Sequence, residues 1–230
     1  MQVVAIDGPA ASGKSSTARA VARALGFHHL DSGALYRTLT RVALDAGQDP
    51  ARLDVPVVLA LAERRGLALR PEGEDFVPLL DGAPAEHLIR TAEVTAAVSA
   101  VSAVPEVRDW ANARMRALAE AGVPIVVDGR DIGSVVFPQA KLKIFLYAKP
   151  LVRAMRRLAQ RGEAATDEEI YAEADRLRAR DQADRSRPVA PLVSPEDAVE
   201  IDTSRMKFEE QVEGIASLAR AVYGLPESGA

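Results

Sequence analysis

The 230-residue chain contains no cysteine. It therefore cannot form disulfides, bind a metal through thiolates or use a cysteine nucleophile. No apolar run approaches the roughly 20 residues that a membrane-spanning helix needs. The N-terminal residues 1–6 (MQVVAI) also lack the basic segment with which a signal peptide begins. These absences predict a cytoplasmic protein with no membrane partner.

Asparagine occurs only at position 112. A regulatory GTPase would read guanine with N-K-x-D, and Asn112 is followed by Ala-Arg-Met, so the motif is absent. Few thermolabile residues and many charges are typical of thermophilic proteins, but a GC-rich genome would favour the same composition. The net charge of −4 argues against a nucleic-acid polymer as partner. No apolar stripe indicates an oligomer interface, so we expect a monomer.

The sequence GPAASGKS at 8–15 matches G-x-x-x-x-G-K-[ST], the pattern of a phosphate-binding loop. Glycines allow the backbone N–H groups to surround an anion, the lysine reaches the β- and γ-phosphates, and the Ser/Thr hydroxyl binds Mg²⁺. An apolar run precedes the motif and a helical pattern follows it, as such a loop requires. The residues expected at the phosphates are Gly8, Pro9, Ala10, Ala11, Ser12, Gly13, Lys14, Ser15 and Ser16.

Short apolar runs alternate with helical patterns along the chain. The runs predict strands at Gln2–Ile6, Phe27–Leu30, Ile125–Val127, Lys141–Tyr147 and Val199–Ile201. The helices are predicted at Lys14–Leu25, Gly33–Ala46, Val55–Arg65, Ala92–Ala103, Pro105–Ala121, Pro150–Arg161, Asp167–Asp184 and Lys207–Tyr223. Such alternation predicts an α/β fold with a central parallel five-stranded sheet between two layers of helices.

Polar or glycine residues follow several of these strands at once, as at Asp7-Gly8 and Asp31-Ser32-Gly33. Ligands of open α/β sheets bind outside the carboxyl ends of the strands, so these corners predict a polar crevice.

Two segments interrupt the alternation. Residues 66–84 alternate apolar and polar positions and contain the hairpin sequence Asp81-Gly82, which predicts a small antiparallel sheet. Residues 161–191 are highly charged, and Thr166 with Glu169 forms a capping-box sequence. We expect a core of residues 1–36, 92–160 and 188–230, an insert of 37–91 and a helical lid of 161–187. The tail Glu227–Ala230 is expected to be frayed.

Two charged groups bear on what happens to the phosphate. Arg176, Arg180, Asp184 and Arg187 are spaced 4, 4 and 3 apart and would share one helix face, which suits stabilisation of phosphoryl transfer. Neighbouring arginines, namely Arg156, Arg161 and Arg178, are expected on a solvated face. The second group is the sequence DGRD at 128–131, at the end of a predicted strand. It is either an ion-paired turn or a grip on an acceptor phosphate.

No H-R-D-x-x-x-x-N sequence occurs, so the chain is not a protein kinase. A motor ATPase would usually need a longer chain. A small kinase remains, and the chain resembles the bacterial cytidylate kinases, a family of P-loop nucleoside monophosphate kinases. The resemblance runs from about residue 4 to 221. It rests on IDGPAASGKSS (6–16), LDSGALYR (30–37), IRTAEV (89–94), VSAVSAVPEVR (98–108), DGRDIGSVVFPQA (128–140), KIFL (143–146) and RDQADRSRPVAPL (180–192).

The resemblance implies a P-loop NTPase fold, a monophosphate-binding insert, and transfer of phosphate from ATP to CMP or dCMP with Mg²⁺. Ser15 would lie at the Mg²⁺. The catalytic residues would be Lys14, Arg130 and Arg187. The acceptor site would comprise Ser32, Tyr36, Arg37, Ser99, Arg108, Arg130, Asp131, Arg180, Asp184 and Arg187.

Within that site, the resemblance implies that Ser99, Arg108 and Asp131 read cytosine. A carboxylate acceptor beside Arg and Ser donors suits the N4 donor and the N3 and O2 acceptors of this base. Uracil reverses the polarity at N3 and position 4 and would leave polar groups unpaired, which a site can reject strongly. No dedicated base is required, because the acceptor is an anionic phosphate oxygen and catalysis consists of positioning and charge neutralisation.

Ordinary structural roles remain open for several of these residues. Ser32 would serve equally as a helix N-cap, Ser99 and Tyr36 as packing residues, and Arg108 as a surface partner of Glu106 or Asp109. The chain also departs from the family at Ala183, where another arginine is expected, and Arg185 is a candidate substitute. Alternative functions are a UMP/CMP kinase, another small-molecule P-loop kinase, or a nucleotide-binding regulator without transfer chemistry.

Overall fold

A computed structural model describes residues 1–162 and 164–226; the tail predicted to be frayed, Glu227–Ala230, lies outside these residues. The centre of the sheet consists of β1 (Val3–Asp7), β2 (His28–Asp31), β6 (Ile125–Gly129), β7 (Leu142–Tyr147) and β8 (Val199–Asp202), numbered along the chain. In space they run β2-β6-β1-β7-β8, and every pair is parallel. The predicted five-stranded parallel sheet is therefore confirmed, with strand bounds shifted by a residue or two.

Helices cover both faces of the sheet because side chains alternate along each strand. Val4 and Ile6 of β1 pack in one apolar cluster, whereas Val3 and Ala5 pack in the other. The helices are α1 (Lys14–Leu25), α2 (Ser32–Asp45), α3 (Val55–Arg64), α4 (Glu86–Ile89), α5 (Ala92–Val101), α6 (Pro105–Glu120), α7 (Pro150–Gln160), α8 (Asp167–Arg185) and α9 (Phe208–Tyr223). The four-residue helix α4 was not predicted, because it is too short to show helical periodicity.

The antiparallel strands β3 (Ala68–Glu72), β4 (Asp75–Leu80) and β5 (Ala83–Pro84) occupy the predicted insert. Asp81 and Gly82 connect β4 to β5 with φ values of 54° and 78°, as a tight hairpin turn requires. The insert is nevertheless not a separate sheet. Asp75 of β4 pairs with His29 of β2 in parallel, so one sheet continues from the core into the insert. This pairing satisfies backbone groups at what would otherwise be an open edge of β2.

The predicted capping box at the start of α8 is confirmed. The backbone N–H of Glu169 donates to Thr166 Oγ1 at 3.3 Å, and the N–H of Thr166 donates to Glu169 Oε2 at 2.8 Å. Near its middle, α8 packs on α7 and on the phosphate-binding loop through a small apolar cluster that includes Ala10, Ala174 and Leu177. The charged helix is thus attached directly to the loop. Among the described residues, no helix is long and apolar enough to cross a membrane.

A single π-helical turn, Ile132–Val136, follows β6. The carbonyl of Asp131 accepts hydrogen bonds from the N–H groups of Val135 (2.9 Å) and Val136 (3.1 Å). This turn is not predictable from the sequence, since five residues are too few to reveal their periodicity. It fixes the backbone directly after the predicted DGRD group.

Candidate active site

A cavity of about 350 Å³ opens outside the carboxyl ends of the parallel strands. Ser32 follows β2 on one wall, Arg130 and Asp131 follow β6 on another, and Arg180 of α8 covers the cavity. Strand ends, helix starts and a covering helix therefore meet at one place. The predicted polar crevice is confirmed at the position that open α/β sheets use for ligands.

The phosphate-binding loop depends on glycine at two positions. Gly8 passes so close to β7 that a Cβ atom would lie 2.1 Å from the carbonyl oxygen of Leu146. Gly13 has φ = 89°, in the left-handed region, and directly precedes α1. The N-terminus of α1 therefore faces the cavity, where the helix dipole and free N–H groups favour an anion.

The loop residues line two adjoining spaces. Ala10, Ala11, Lys14 and Ser15 line the main cavity. Gly13 and Ser16 line a neighbouring hollow of about 150 Å³, which Ala11, Lys14, Ser15 and Arg156 also line. Gly8, Pro9 and Ser12 line neither space. The loop therefore presents part of its length to each of two connected anion-accepting regions.

Lys14 is buried, and its Nζ donates to the carbonyl oxygen of Pro9 at 3.1 Å. Burial, with smaller contributions from Arg130 and Arg180, lowers the pKa of Lys14 to about 7, although the Asp128 carboxylate opposes this shift. A phosphate group placed against the ammonium would favour its charged form. An anion bound at the loop is therefore expected to raise the pKa of Lys14.

Binding of ATP, the donor that the resemblance implies, is therefore expected to take up close to one proton at about pH 8, because Lys14 is largely neutral there and becomes charged beside phosphate. The affinity for ATP should fall as the pH rises above about 7, the pKa of Lys14 in the free protein. Calorimetry in buffers of different ionisation enthalpy measures the uptake. Lys14→Arg keeps its charge at this pH and is the matched control, with no uptake expected. An equal proton uptake by the wild type and Lys14→Arg would show that the proton binds to a group other than Lys14.

Ser15 belongs to a chain of polar contacts that passes through the buried residues Asp128 and His29. Its Oγ donates to Asp128 Oδ2 at 2.5 Å. Asp128 Oδ1 lies 2.9 Å from His29 Nε2, and His29 Nδ1 lies 2.8 Å from Asp75 Oδ1. Both ring nitrogens donate at once only if the imidazole is charged. Burial opposes this charge, but the hydrogen bonds to Asp128 and Asp75 prevail and raise the pKa of His29.

A second buried pair lies at the opposite end of the cavity. Arg108 Nη2 forms an ion pair with Asp131 Oδ2, and Arg108 Nη1 donates to the carbonyl of Ser102 at 2.9 Å. The guanidinium lies over the ring of Tyr36, with 5.3 Å to the ring centroid. The alternative expectation, that Arg108 pairs with neighbours on its own helix at the surface, is wrong. The pair combines a carboxylate with a planar donor at a cavity wall.

Arginines dominate the middle of the cavity. Arg130 Nε donates to Asp184 Oδ2 at 2.8 Å, and Arg187 Nη1 lies 4.0 Å from Asp184 Oδ1. The Nε atoms of Arg180 and Arg187 are buried and have no hydrogen-bond partner among the described residues. Burial and the neighbouring charge of Arg130 lower the pKa of Arg180 to about 10. This excess of positive charge over carboxylates suits a polyanionic ligand.

The ten residues predicted for the acceptor site all line this one cavity. Ser32 is not the N-cap of α2, because Asp31 occupies that position and Ser32 Oγ donates to the carbonyl of Asp128 at 2.7 Å. The charges of the DGRD sequence do not pair within the turn, since Arg130 contacts Asp184 and Asp131 contacts Arg108.

Three expectations about the neighbouring arginines are wrong. Arg176 does not share the cavity face, because its side chain is 75% exposed and contacts Glu173. Arg156 is not on a solvated face, since it donates to the carbonyl of Thr203 at 2.6 Å. Arg185 lines a different hollow, behind Pro9, and so does not replace the arginine missing at Ala183. Helical spacing alone did not predict how α8 is rotated against the core.

Other cavity residues were missed by the sequence analysis. Arg90 lines the cavity and pairs with Asp31 at 2.7 Å, and Arg157 lines it from α7. Arg90 belongs to the sequence IRTAEV, which carried part of the resemblance and was the available signal. Asp128 was quoted within DGRD but received no role, and no local pattern connects His29 to it.

The loop and α8 are connected by a buried polar network. Asp181 Oδ1 accepts a hydrogen bond from the N–H of Ala10 at 2.9 Å, and Asp181 Oδ2 pairs with Arg153 Nη1 at 2.7 Å. Arg153 Nη1 also donates to the carbonyl of Ala10 at 2.7 Å. Both polar groups of residue 10 are thus held by buried charges from two helices.

Asp181→Ala should lower the free energy of unfolding by about 3–5 kcal/mol, because it leaves the buried Arg153 guanidinium unpaired. Urea denaturation measures the change. Asp175→Ala on the same helix is the matched control: its carboxylate is 74% exposed and pairs with Arg178, so a loss under about 1 kcal/mol is expected. Equal losses in the two variants would show that the network contributes no more than a surface pair.

Comparisons with known proteins identify one family. The family model described as cytidylate kinase matches residues 4–221. A cytidylate kinase of Mycobacterium avium (strain 104) is 43% identical over 218 residues, which cover 95% of each chain. A cytidylate kinase of Geobacillus sp. (strain WCH70) is 40% identical over 221 residues, which cover 96% of this chain and 97% of the relative. A cytidylate kinase of Streptomyces griseus subsp. griseus is 43% identical over 220 residues, which cover 94% of this chain and 91% of the relative.

Proposed function

The chain belongs to the cytidylate kinase family, and we propose on that basis that it transfers the γ-phosphoryl group of ATP to CMP and dCMP. The products are ADP with CDP or dCDP. One observation carries the proposal: a single cavity joins the phosphate-binding loop at Lys14 to the buried Arg108–Asp131 pair, with more arginines than carboxylates between them. Such a cavity has the features that a two-nucleotide site requires.

Lys14 and the N-terminus of α1 bind the donor phosphates. Arg37 and Arg130 bind the acceptor phosphate, and Arg187 with Arg180 neutralises the charge that spreads over the transferred group. These side chains require no general base, because the attacking oxygen of the acceptor phosphate is already anionic. Helix α8 covers the cavity and excludes water, which would otherwise compete with the nucleotide as the acceptor of the phosphoryl group.

Asp131 and Arg108 select the base. The Asp131 carboxylate accepts from the exocyclic amine of cytosine, while Arg108 and Ser99 donate to its acceptor atoms. Asp184 with Arg180 contacts the sugar, and Ser32 and Tyr36 form the wall of this pocket. The burial of Arg108 and Asp131 supports this role, because uracil would leave these groups facing atoms of the wrong polarity.

Mg²⁺ is expected to assist transfer. The Ser15 hydroxyl and the Asp128 carboxylate, 2.5 Å apart, offer the hard oxygen donors that this ion prefers. No group of three His, Asp or Glu side chains in residues 1–162 and 164–226 is arranged to hold a metal. Mg²⁺ commonly uses one or two protein oxygens together with phosphates and water, so this donor set fits it. When bound, the ion would neutralise charge on the donor phosphates.

The division into a core (1–36, 92–160 and 188–230), a monophosphate-binding insert (37–91) and a lid (161–187) is also part of the proposal. Helix α2 is continuous across the boundary at residue 37. A movement of the insert relative to the core would therefore have to occur about residues that follow this helix. We further propose that the enzyme works in the cytoplasm as a monomer, with nucleotides and no nucleic-acid polymer or membrane as partners. Sedimentation of the purified protein measures the oligomeric state.

A coupled assay for ADP tests the function. CMP, dCMP, UMP, AMP and shikimate are offered separately with ATP and Mg²⁺, and fast ADP formation is expected with CMP and dCMP. Comparable turnover of UMP would identify a UMP/CMP kinase. Absence of turnover with CMP while another acceptor reacts fast would overturn the proposal, and ADP formation independent of any acceptor would exclude transfer to a nucleotide.

A further inference from the structure

Asp7 is a buried carboxylate with no part in the proposed reaction. It is the last residue of β1, immediately before Gly8 of the phosphate-binding loop, and only 1% of it is exposed. It does not line the cavity. Burial raises the pKa of Asp7 to about 6, so its charge is held at a cost to stability. The proposed reaction does not account for this buried charge beside the site.

Both hydrogen-bond partners of Asp7 are backbone amides of the π-helical turn. Oδ1 accepts from the N–H of Ile132 at 2.8 Å, and Oδ2 accepts from the N–H of Gly133 at 2.7 Å. Two successive N–H groups thus converge on one side chain. A carboxylate satisfies both donors, whereas the amide of asparagine has only one acceptor oxygen.

The turn held in this way begins directly after Asp131. Its first amide, that of Ile132, follows Asp131 in the chain, and the carbonyl of Asp131 accepts from Val135 and Val136 at the other end of the turn. The backbone on the C-terminal side of Asp131 is therefore fixed from two directions. On the N-terminal side, Gly129 pairs with Asp7 itself across the sheet.

We propose that Asp7 is a positioning residue that sets base selectivity: by holding the Ile132–Val136 turn, it keeps the Asp131 carboxylate at the cavity wall against Arg108. Asp7 touches no substrate and acts through Asp131. The inference rests on the proposed function, since it assumes that Asp131 reads the base. This role also explains why β1, which leads into the phosphate-binding loop, ends in a charged residue. Asp7 fixes the position of Asp131 in the acceptor site relative to that loop.

Gly133 provides an independent way to disturb the same contact. A Cβ atom there would lie 3.1 Å from Cγ and Cδ of Lys143 and 3.4 Å from Asp7 Oδ2. The distance to Asp7 is an ordinary van der Waals contact, whereas the 3.1 Å contacts require Lys143 or the turn to shift by a few tenths of an ångström. Gly133→Ala therefore crowds the turn beside Asp7 while retaining the carboxylate. This variant keeps the inference testable if the Asp7 variant does not fold.

The experiment compares kcat/KM for CMP and for UMP in the wild type, Asp7→Asn and Gly133→Ala. Asp131→Ala is the reference for lost base reading. Asp181→Asn is the matched control, because Asp181 is also a buried carboxylate that accepts a backbone N–H, but from Ala10 on the donor side. Thermal denaturation verifies that each variant is folded at the assay temperature.

Asp7→Asn is expected to lower the CMP-to-UMP ratio of kcat/KM by about tenfold or more, since a misplacement near 1 Å can cost a reaction on the order of 10²-fold. Gly133→Ala displaces the turn less and should lower the ratio in the same direction by a smaller factor. The KM for ATP should stay close to that of the wild type, and Asp181→Asn should change both acceptors equally. If the folded variants lose activity equally with CMP and UMP while Asp131→Ala lowers the ratio, Asp7 is only structural and the inference is overturned. If Asp131→Ala itself leaves the ratio unchanged, the proposed base reading is wrong, and the inference falls with it.

Discussion

Lys14→Ala is expected to lower the rate of phosphoryl transfer by about 10³-fold or more, the scale on which single charged groups act in phosphoryl and acyl transfer. Lys14 is the ammonium closest to the donor side of the cavity, and it is buried where water does not screen it. The arginines beside the loop, Arg156 and Arg157, already contact Thr203 and Glu173. They do not replace a charge lost from the loop.

The fold should survive this substitution. Burial lowers the pKa of Lys14 to about 7, so removing the ammonium also removes an unfavourable desolvation of charge. The measurement is kcat for CMP at saturating ATP, together with the free energy of unfolding in urea. Lys14→Arg retains the positive charge but changes the shape of the side chain. Comparing the two variants therefore separates the effect of the charge from the effect of the side-chain geometry. Near-normal activity of folded Lys14→Ala would contradict the assignment of the loop.

Asp131→Ala is expected to lower kcat/KM for CMP by on the order of 10²-fold or more and that for UMP by much less, because a site that hydrogen-bonds one base loses its discrimination with that bond. The same change removes the partner of Arg108, so some loss of stability will accompany it. The selectivity ratio is the useful readout, since a loss of folded enzyme lowers both rates equally.

Asp131→Asn is the sharper variant. Its amide is nearly isosteric with the carboxylate, and it can turn its NH₂ group toward the O4 atom of uracil. We expect it to turn over UMP better than Asp131→Ala does. If both variants lose CMP and UMP activity in equal proportion, Asp131 does not read the base.

The parts of the fold that depend on periodicity were predictable from the sequence. Alternating strands and helices gave the parallel five-stranded sheet, and the Asp81-Gly82 and Thr166–Glu169 sequences marked a turn and a cap that the structure contains. The short helix α4 and the π-helical turn at Ile132–Val136 were missed. The turn is held by tertiary hydrogen bonds to Asp7, which no local pattern reveals.

The candidate site was predictable in part of its membership but not in its connectivity. Its predicted acceptor residues meet at one cavity, yet the sequence did not indicate that Arg108 pairs with Asp131 or that Arg130 pairs with Asp184. These pairs join positions that are far apart in sequence. Arg176 illustrates the limit of helical spacing: it lies four residues before Arg180, yet its side chain is exposed, because the packing of Ala174 and Leu177 decides which face of α8 turns inward.

We propose that phosphate passes directly from ATP to the phosphate of CMP in a cavity that excludes water. ATP labelled in its γ-phosphate tests this transfer when the label is followed with and without CMP. With CMP present, the label should appear in the β-phosphate of CDP and scarcely in inorganic phosphate, whereas without an acceptor it should stay in ATP. Label that accumulates in inorganic phosphate at the same rate with and without CMP, and none in CDP, would contradict this proposal.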